Sequence, residues 1–184
     1  SIEIEADGIT IISEALHPLP IDPTGRISSS LDIRIDARAL DLRNPLVNAI
    51  FKIRHEVLQS IRDTFIKRKF LEVNTSKIIG QAVEGGANLF QIEYFGKNAF
   101  LSQSPQLYKE QLTLSLERVF EIAGYFRAEK SHTTRHLNEF ISVDMEAAFM
   151  NENDVMEIAE IMVVNAIHRI VRNSKEELRI LGKT

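Results

Sequence analysis

Strict alternation of side-chain character between residues 139 and 149 is the feature that most narrows what this chain can fold into. Successive side chains of a strand point to opposite faces. Ile141, Val143, Met145 and Ala147 therefore share one face, and Phe140, Ser142, Asp144 and Glu146 share the other. Residues 119 to 129 ahead of it are apolar, with β-branched and aromatic members, and the intervening segment Lys130 to Asn138 carries a serine, two threonines, an arginine and two histidines. The pattern predicts two strands joined by a polar loop. One face is core. Because Arg127 and Glu129 share a face of the first strand, antiparallel pairing gathers an arginine, three carboxylates, an aromatic ring and a basic loop on the other.

Such a face suits an anionic ligand that carries a flat ring. Arginine makes two parallel hydrogen bonds to a phosphate, an aromatic ring stacks on a base, and carboxylates hold an ammonium group or an exocyclic amine. A solvated hairpin has the same composition, and on pattern alone the two readings stand level.

Composition removes several other classes. With 184 residues, 44% hydrophobic and 26% charged, the chain is long enough to bury a core as one domain with a small appendage. A net charge of −4 gives no global attraction for nucleic acid, which argues against DNA and makes any RNA contact local. The absence of cysteine excludes disulfides and thiolate metal sites. No apolar run approaches the ~18 residues of a membrane span, and the opening SIEIEADGIT is not a signal peptide, so a soluble, cytoplasmic protein is expected.

Taken in order, SIEIEADGITIISEA reads as a short alternating run, too little to form a sheet alone. His17 to Ser30, with three prolines, a glycine and three serines, is the best linker candidate. Arg34, Asp36, Arg38, Asp41 and Arg43 then alternate in sign, the pattern of a solvated face. A helix is predicted from Asn44, a good cap with Pro45 at the first helical position. Ile50, Ile53, Val57, Leu58, Ile61 and Phe65 keep its 3.6-residue period. Lys67, Arg68 and Lys69 fall in its last turn, where cations complement the helix dipole. A short strand follows at Phe70 to Val73, and Tyr94 to Ser102 reads as strand, turn and strand. Glu84-Gly85-Gly86 lies in a loop. In QSPQLYKEQL, Ser104 is placed to cap a helix that Pro105 opens, with Gln106 and Lys109 on one side near its N-terminus. A lysine there opposes the dipole and wants an anion nearby. Residues 151 to 173 give the longest helical pattern, capped by Asn151 or Asn153. The histidines show no metal-ligand spacing, and no metal site is expected from them.

The order of residues adds a resemblance. FRAE followed by TTRHLNEF looks like motif 2 of the class II aminoacyl-tRNA synthetases, in the form of the archaeal and eukaryotic aspartyl enzymes. The helix from Asn44 with FLEVNT resembles motif 1, EGGANLF resembles the flipping loop that closes over the amino acid, and QSPQLYKEQL resembles the aspartyl family's QSPQLYKQ element. The words IEADGITIISEALHPLPIDPTG and LDIRIDARALDLRNP resemble the passage from the anticodon-binding barrel through a hinge to the catalytic domain. One departure is Ser76, where the family has proline after the threonine of motif 1, so the turn loses a fixed φ.

The resemblance implies an α+β fold, an antiparallel sheet flanked by helices. Residues 1–16 would be the last strand of an OB-type anticodon-binding β-barrel, 17–43 the hinge, and 44–184 the N-terminal part of the catalytic domain. It implies that Arg127 holds the α-phosphate of ATP, that Glu129 meets the adenine amine or the acceptor end of tRNA, that Phe140 stacks on adenine, and that Arg135 and His136 reach the outer phosphates. Glu84, Ser104, Gln106 and Asp144 would surround the ammonium group of L-aspartate, and Lys109 would take its side-chain carboxylate. Asparaginyl enzymes lack that lysine, so Lys109 favours aspartate. The implied partners are L-aspartate, ATP and tRNA, with a homodimer through motif 1. Mg2+ is implied with ligands mostly in motif 3 and the acidic residues before it, which nothing after Phe149 resembles, so a partial synthetase is expected. Two alternatives remain open at this stage. One is a synthetase-related asparagine synthetase, the other a non-catalytic fragment that binds ATP, tRNA or a partner chain.

Overall fold

The structure is a computed structural model, and it describes residues 2–81, 89–131, 133 and 136–183. The described residues form two compact units, residues 56–170 and a second made of the residues up to His55 with those from Val171 onward. Helices α3 (Pro45–Lys67) and α5 (Glu152–Asn173) run through both.

The unit 56–170 holds two sheets. In the first, β1 (Leu71–Glu72) pairs parallel with β5 (Arg118–Phe126), and β5 pairs antiparallel with β6 (Glu139–Ala147). In the second, the antiparallel order is β2 (Ile78–Ile79), β4 (Lys97–Leu101), β3 (Gln91–Tyr94). The α+β class expected from the sequence is therefore present, with one parallel pair inside a mainly antiparallel arrangement. Helix α4 (Gln106–Leu116) stands between β4 and β5 in the chain.

The alternation of β6 sorts its faces as read except at Ile141, which is expected in the core but lies 45% exposed near the start of the strand. Val143, Met145 and Ala147, with Ile122 of β5, pack against a core of Ile61, Phe65, Phe70, Phe120 and Ile158. Helices α3 and α5 supply the aliphatic cover, and Phe65 stacks on Phe120 with ring centroids 4.8 Å apart. Residues 118, 120 and 122 of β5 belong to that face, which leaves 119, 121, 123 and 125 on the opposite one.

Local signals explain the helix ends. Asn44 Oδ1 accepts from the Leu46 amide at 3.0 Å, and Asn151 Oδ1 accepts from the Asn153 amide at 2.8 Å, so both expected asparagine caps are formed. Helix α4 starts at Gln106, one residue later than the Pro105 position expected, although the Gln106 amide does donate to Ser104 Oγ at 3.2 Å. At the end of α3 the chain turns through Lys69 with φ 65°, and Arg118 donates to the Arg68 carbonyl at 3.1 Å, satisfying a helix-end acceptor.

The other unit corrects two expectations. Residues 2–16 form no strand, because no other described segment offers them a hydrogen-bonded ladder. The sign-alternating run is not simply a solvated face: it carries two short helices, α1 (Leu31–Asp36) and α2 (Arg38–Asp41). Asp41 is buried and is paired with Arg34 at 2.7 Å and with Arg38. A last short helix, α6 (Lys175–Ile180), lies in the same unit, where Glu177 meets Lys52 at 3.4 Å.

Candidate active site

The polar face of β5 and β6 is where the sequence placed it. Cross-strand partners there are Val119 with Glu146, Glu121 with Asp144, Ala123 with Ser142 and Tyr125 with Phe140. Directly opposite residues share a face of an antiparallel sheet. Two groups of side chains stand on this face, and the residues 140 and 144 that mark them are separated by about 13 Å of strand at ~3.3 Å per residue.

At one end Arg127 lies over the ring of Phe140, 5.3 Å from its centroid. Both line a cleft of about 500 Å³ together with Glu129, His136 and Leu137. The main chain turns sharply here, the Glu129 amide donating to the Arg127 carbonyl at 2.8 Å, and the Arg127 amide is tied to the Asn138 carbonyl at 2.9 Å. The His136 Nδ1 sits 2.6 Å from Thr133 Oγ1. A guanidinium, an aromatic face, a carboxylate and an imidazole thus converge on one cleft. Arg135 lies outside the described residues.

At the other end, on the side of α4 that meets the sheet, Lys109 reaches Asp144 Oδ1 at 3.3 Å, Glu146 Oε2 at 3.6 Å and the Met145 carbonyl at 3.4 Å. Its anion requirement near the helix start is met across the sheet. Ser142 Oγ donates to the second oxygen of Asp144 at 2.5 Å, so this carboxylate is held from two sides. Ser104 stands at the start of the same helix. Gln106 is not drawn into this group: its amide donates to Glu110 along the helix at 2.6 Å. Glu84 lies outside the described residues.

Sequence reading missed the middle of the face. Glu121, 2% exposed, accepts from Lys77 Nζ at 2.6 Å, from the Thr75 amide at 2.9 Å, from Thr75 Oγ1 at 2.8 Å and from Tyr125 Oη at 2.7 Å. Lys77 also donates to the Thr75 carbonyl at 2.8 Å and stands 4.5 Å from the centre of the Tyr125 ring. Burial alone would raise the Glu121 pKa, but the hydrogen bonds from Lys77, Thr75 and Tyr125 outweigh it and hold the carboxyl below its ordinary value. Burial pushes the Tyr125 hydroxyl up, and the Glu121 and Asp144 charges push the same way. The available signal was parity: Glu121 and Tyr125 on β5 have the same parity as Arg127 just beyond its end, in a stretch that from Val119 to Phe126 is otherwise apolar.

Among the described residues no group of three His, Cys, Asp or Glu side chains is disposed to hold a metal ion. None of the described residues is therefore assigned to magnesium.

The family model for tRNA synthetases class II (D, K and N) matches residues 30–183. The chain belongs to this family. Among curated class II relatives, the aspartate–tRNA(Asp/Asn) ligase of Methanococcus aeolicus is 50% identical over 175 residues, covering 95% of this chain and 40% of that protein. The aspartate–tRNA(Asp) ligase of Pyrococcus furiosus is 50% identical over 181 residues, covering 97% and 41%. The chain thus spans about two fifths of the length of these class II relatives. Among solved structures, the asparaginyl-tRNA synthetase of Pyrococcus horikoshii complexed with asparaginyl-adenylate aligns with a TM-score of 0.78 at 39% identity, covering 83% of this chain and 35% of that one. The Entamoeba histolytica asparaginyl-tRNA synthetase in complex with asparaginyl-adenylate gives 0.75 at 26% identity, covering 86% and 35%. Both support the class II fold for the two sheets and their helices.

Proposed function

We propose that this chain forms the amino-acid and ATP floor of an aspartate–tRNA ligase, which activates L-aspartate with ATP and transfers it to tRNA. The observation that carries the reading is Lys109, whose ammonium stands over the polar face beside Asp144 and Glu146, on the same sheet as the Arg127–Phe140 cleft. Two binding groups on one face suit an extended ligand with a base at one end and an acidic amino acid at the other. In this reading Phe140 stacks on adenine and Arg127 holds the α-phosphate. Glu129 meets the adenine amine or the tRNA end, and Arg135 and His136 reach the outer phosphates. Asp144, with Glu84 and Ser104, takes the ammonium group, Gln106 joins them once its amide leaves Glu110, and Lys109 takes the side-chain carboxylate.

The α-carboxylate of aspartate attacks the α-phosphorus, a carboxyl oxygen–phosphorus bond forms, and the bond to pyrophosphate breaks. The terminal hydroxyl of tRNA then attacks the activated carbonyl and AMP leaves. Neither step needs a side-chain nucleophile. The work is positioning two anions and compensating the charge that develops, which is what a fixed guanidinium supplies. A lysine facing aspartate but not asparagine gives discrimination, because a neutral amide leaves the ammonium without a charge partner. The working enzyme is proposed to be a cytoplasmic homodimer joined through the α3–β1 region. Residues 1–16 are proposed as the end of its anticodon-binding barrel, 17–43 as the hinge and 44–184 as the first part of its catalytic domain. Magnesium accompanies ATP as in the family at large.

The test compares, by calorimetry on the full-length protein, the non-hydrolysable sulfamoyl analogues of aspartyl and asparaginyl adenylate. The aspartyl analogue is expected to bind more tightly, and Lys109→Met to remove most of that preference, roughly tenfold to a hundredfold for one lost charge contact. Equal binding of the two analogues by the unaltered protein overturns the assignment to aspartate.

A further inference from the structure

The middle of the site floor contains an ion pair that the proposed chemistry does not use. Lys77 approaches from the segment between β1 and β2 and covers Glu121, and Glu121 is the direct cross-strand partner of Asp144. Three carboxylates, Glu121, Asp144 and Glu146, therefore stand in one patch of the sheet, faced by two ammonium groups, Lys77 and Lys109. Tyr125 and Thr75 complete the shell around Glu121, and neither carries charge. Lys109 is shared between Asp144 and Glu146, so among the described residues Lys77 is the cation that balances Glu121.

That arrangement bears directly on an acidic substrate. A ligand with its own side-chain carboxylate must settle against a floor already rich in negative charge. Coulomb repulsion from one more uncompensated carboxylate ~10 Å away at an effective dielectric of ~20 amounts to roughly a tenfold loss of affinity. The same charge has almost no effect on a ligand with a neutral amide in that place.

We propose that Lys77 is a specificity-determining residue for the amino acid, acting through Glu121: by neutralising this buried carboxylate beside Asp144, it keeps the floor from repelling an acidic side chain. The inference rests on the aspartate reading above and deepens it. Lys77 touches no substrate in this account; it is a positioning and charge-balancing residue.

The test uses the two sulfamoyl adenylate analogues on the full-length protein and on Lys77→Met, Glu121→Gln and the Lys77→Met/Glu121→Gln pair, each first shown to be folded by its cooperative unfolding transition. Lys77→Met is expected to weaken the aspartyl analogue roughly tenfold and the asparaginyl analogue less than about twofold. Glu121→Gln alone is expected not to weaken the aspartyl analogue, and the double variant to return it to within about twofold of the unaltered protein. The Lys77→Met defect should shrink as the pH is lowered from 8.5 to 6, because the unpaired buried carboxyl takes up a proton and its charge disappears. In that variant the groups facing it are Thr75, Tyr125 and Asp144, with Lys109 and Glu146 one pair further. Equal loss of both analogues in Lys77→Met, or no rescue by Glu121→Gln, means the pair is only structural and overturns the inference. If the unaltered protein binds neither analogue, the aspartate reading itself fails and the inference falls with it. If it binds the aspartyl analogue and Lys77→Met binds it equally at every pH, only the inference is overturned.

Discussion

Glu121 is the residue whose chemistry is most sharply defined by its surroundings. It is almost fully buried, yet its carboxyl is held below the ordinary value of 4.5 by four hydrogen bonds, one of them from the Lys77 ammonium group. A depressed folded-state pKa stabilises the fold above the unfolded value and loses that contribution as pH falls through the folded value. The stability difference between the unaltered protein and Glu121→Gln is therefore expected to be constant from neutral pH down to about 4.5, then to shrink on further acidification. Urea unfolding midpoints across pH 2.5 to 7 check this; a difference that grows toward acid would contradict the pairing. The residue was not legible in the sequence because its partner Lys77 lies 44 positions away and only the tertiary fold brings them together. Arg127, Phe140 and Asp144 could be put on one face by strand parity, whereas Lys109 stood out through the family word QSPQLYKEQL. Ser76, where the family has proline, is flanked by Thr75 and Lys77, both tied to Glu121, so side-chain contacts hold this turn without a preset φ.

Elements follow local rules where the rules are strong. The 3.6-residue period of α3 placed Val57, Ile61 and Phe65 on the core and the alternation of β6 placed Val143, Met145 and Ala147 there, while Ile50 and Ile141 on the same faces stay exposed; both asparagine caps formed. Phe65, 1% exposed and stacked on Phe120, is the centre of that core, and Phe65→Ala is expected to cost roughly 3–4 kcal/mol of unfolding free energy. Denaturant unfolding measures it, and a loss under about 1 kcal/mol would show that α3 does not seal this sheet. Local rules fail where pairing is remote. The parallel register of β1 with β5 cannot be read from two residues, and α1 and α2 were hidden because a run of alternating charges looks solvated until Asp41 is seen buried between Arg34 and Arg38. The alternating run at residues 2–16 shows the converse: pattern without a partner ladder forms no strand.

At the scale of the molecule, one face of the β5–β6 sheet is given to packing and the other to chemistry. Helices α3 and α5 cover the first, while α4 and the segment through Lys77 bring cations to the second. In the proposed function, the carboxylate-rich floor with matched ammonium groups, next to an arginine over an aromatic ring, holds two anionic reactants in line. The family words made this assignment readable before any geometry, whereas the balance of charge on the floor became visible only in three dimensions. The central claim is that this face is where aspartate is adenylated. Its most direct test is aspartate-dependent ATP–pyrophosphate exchange by the full-length protein, with Arg127→Ala and Lys109→Ala alongside. The account expects exchange with aspartate that falls by about a hundredfold or more in each variant, the order of a lost charge-stabilising contact at the reacting centre. Exchange that survives both substitutions would place the reaction elsewhere and contradict the account.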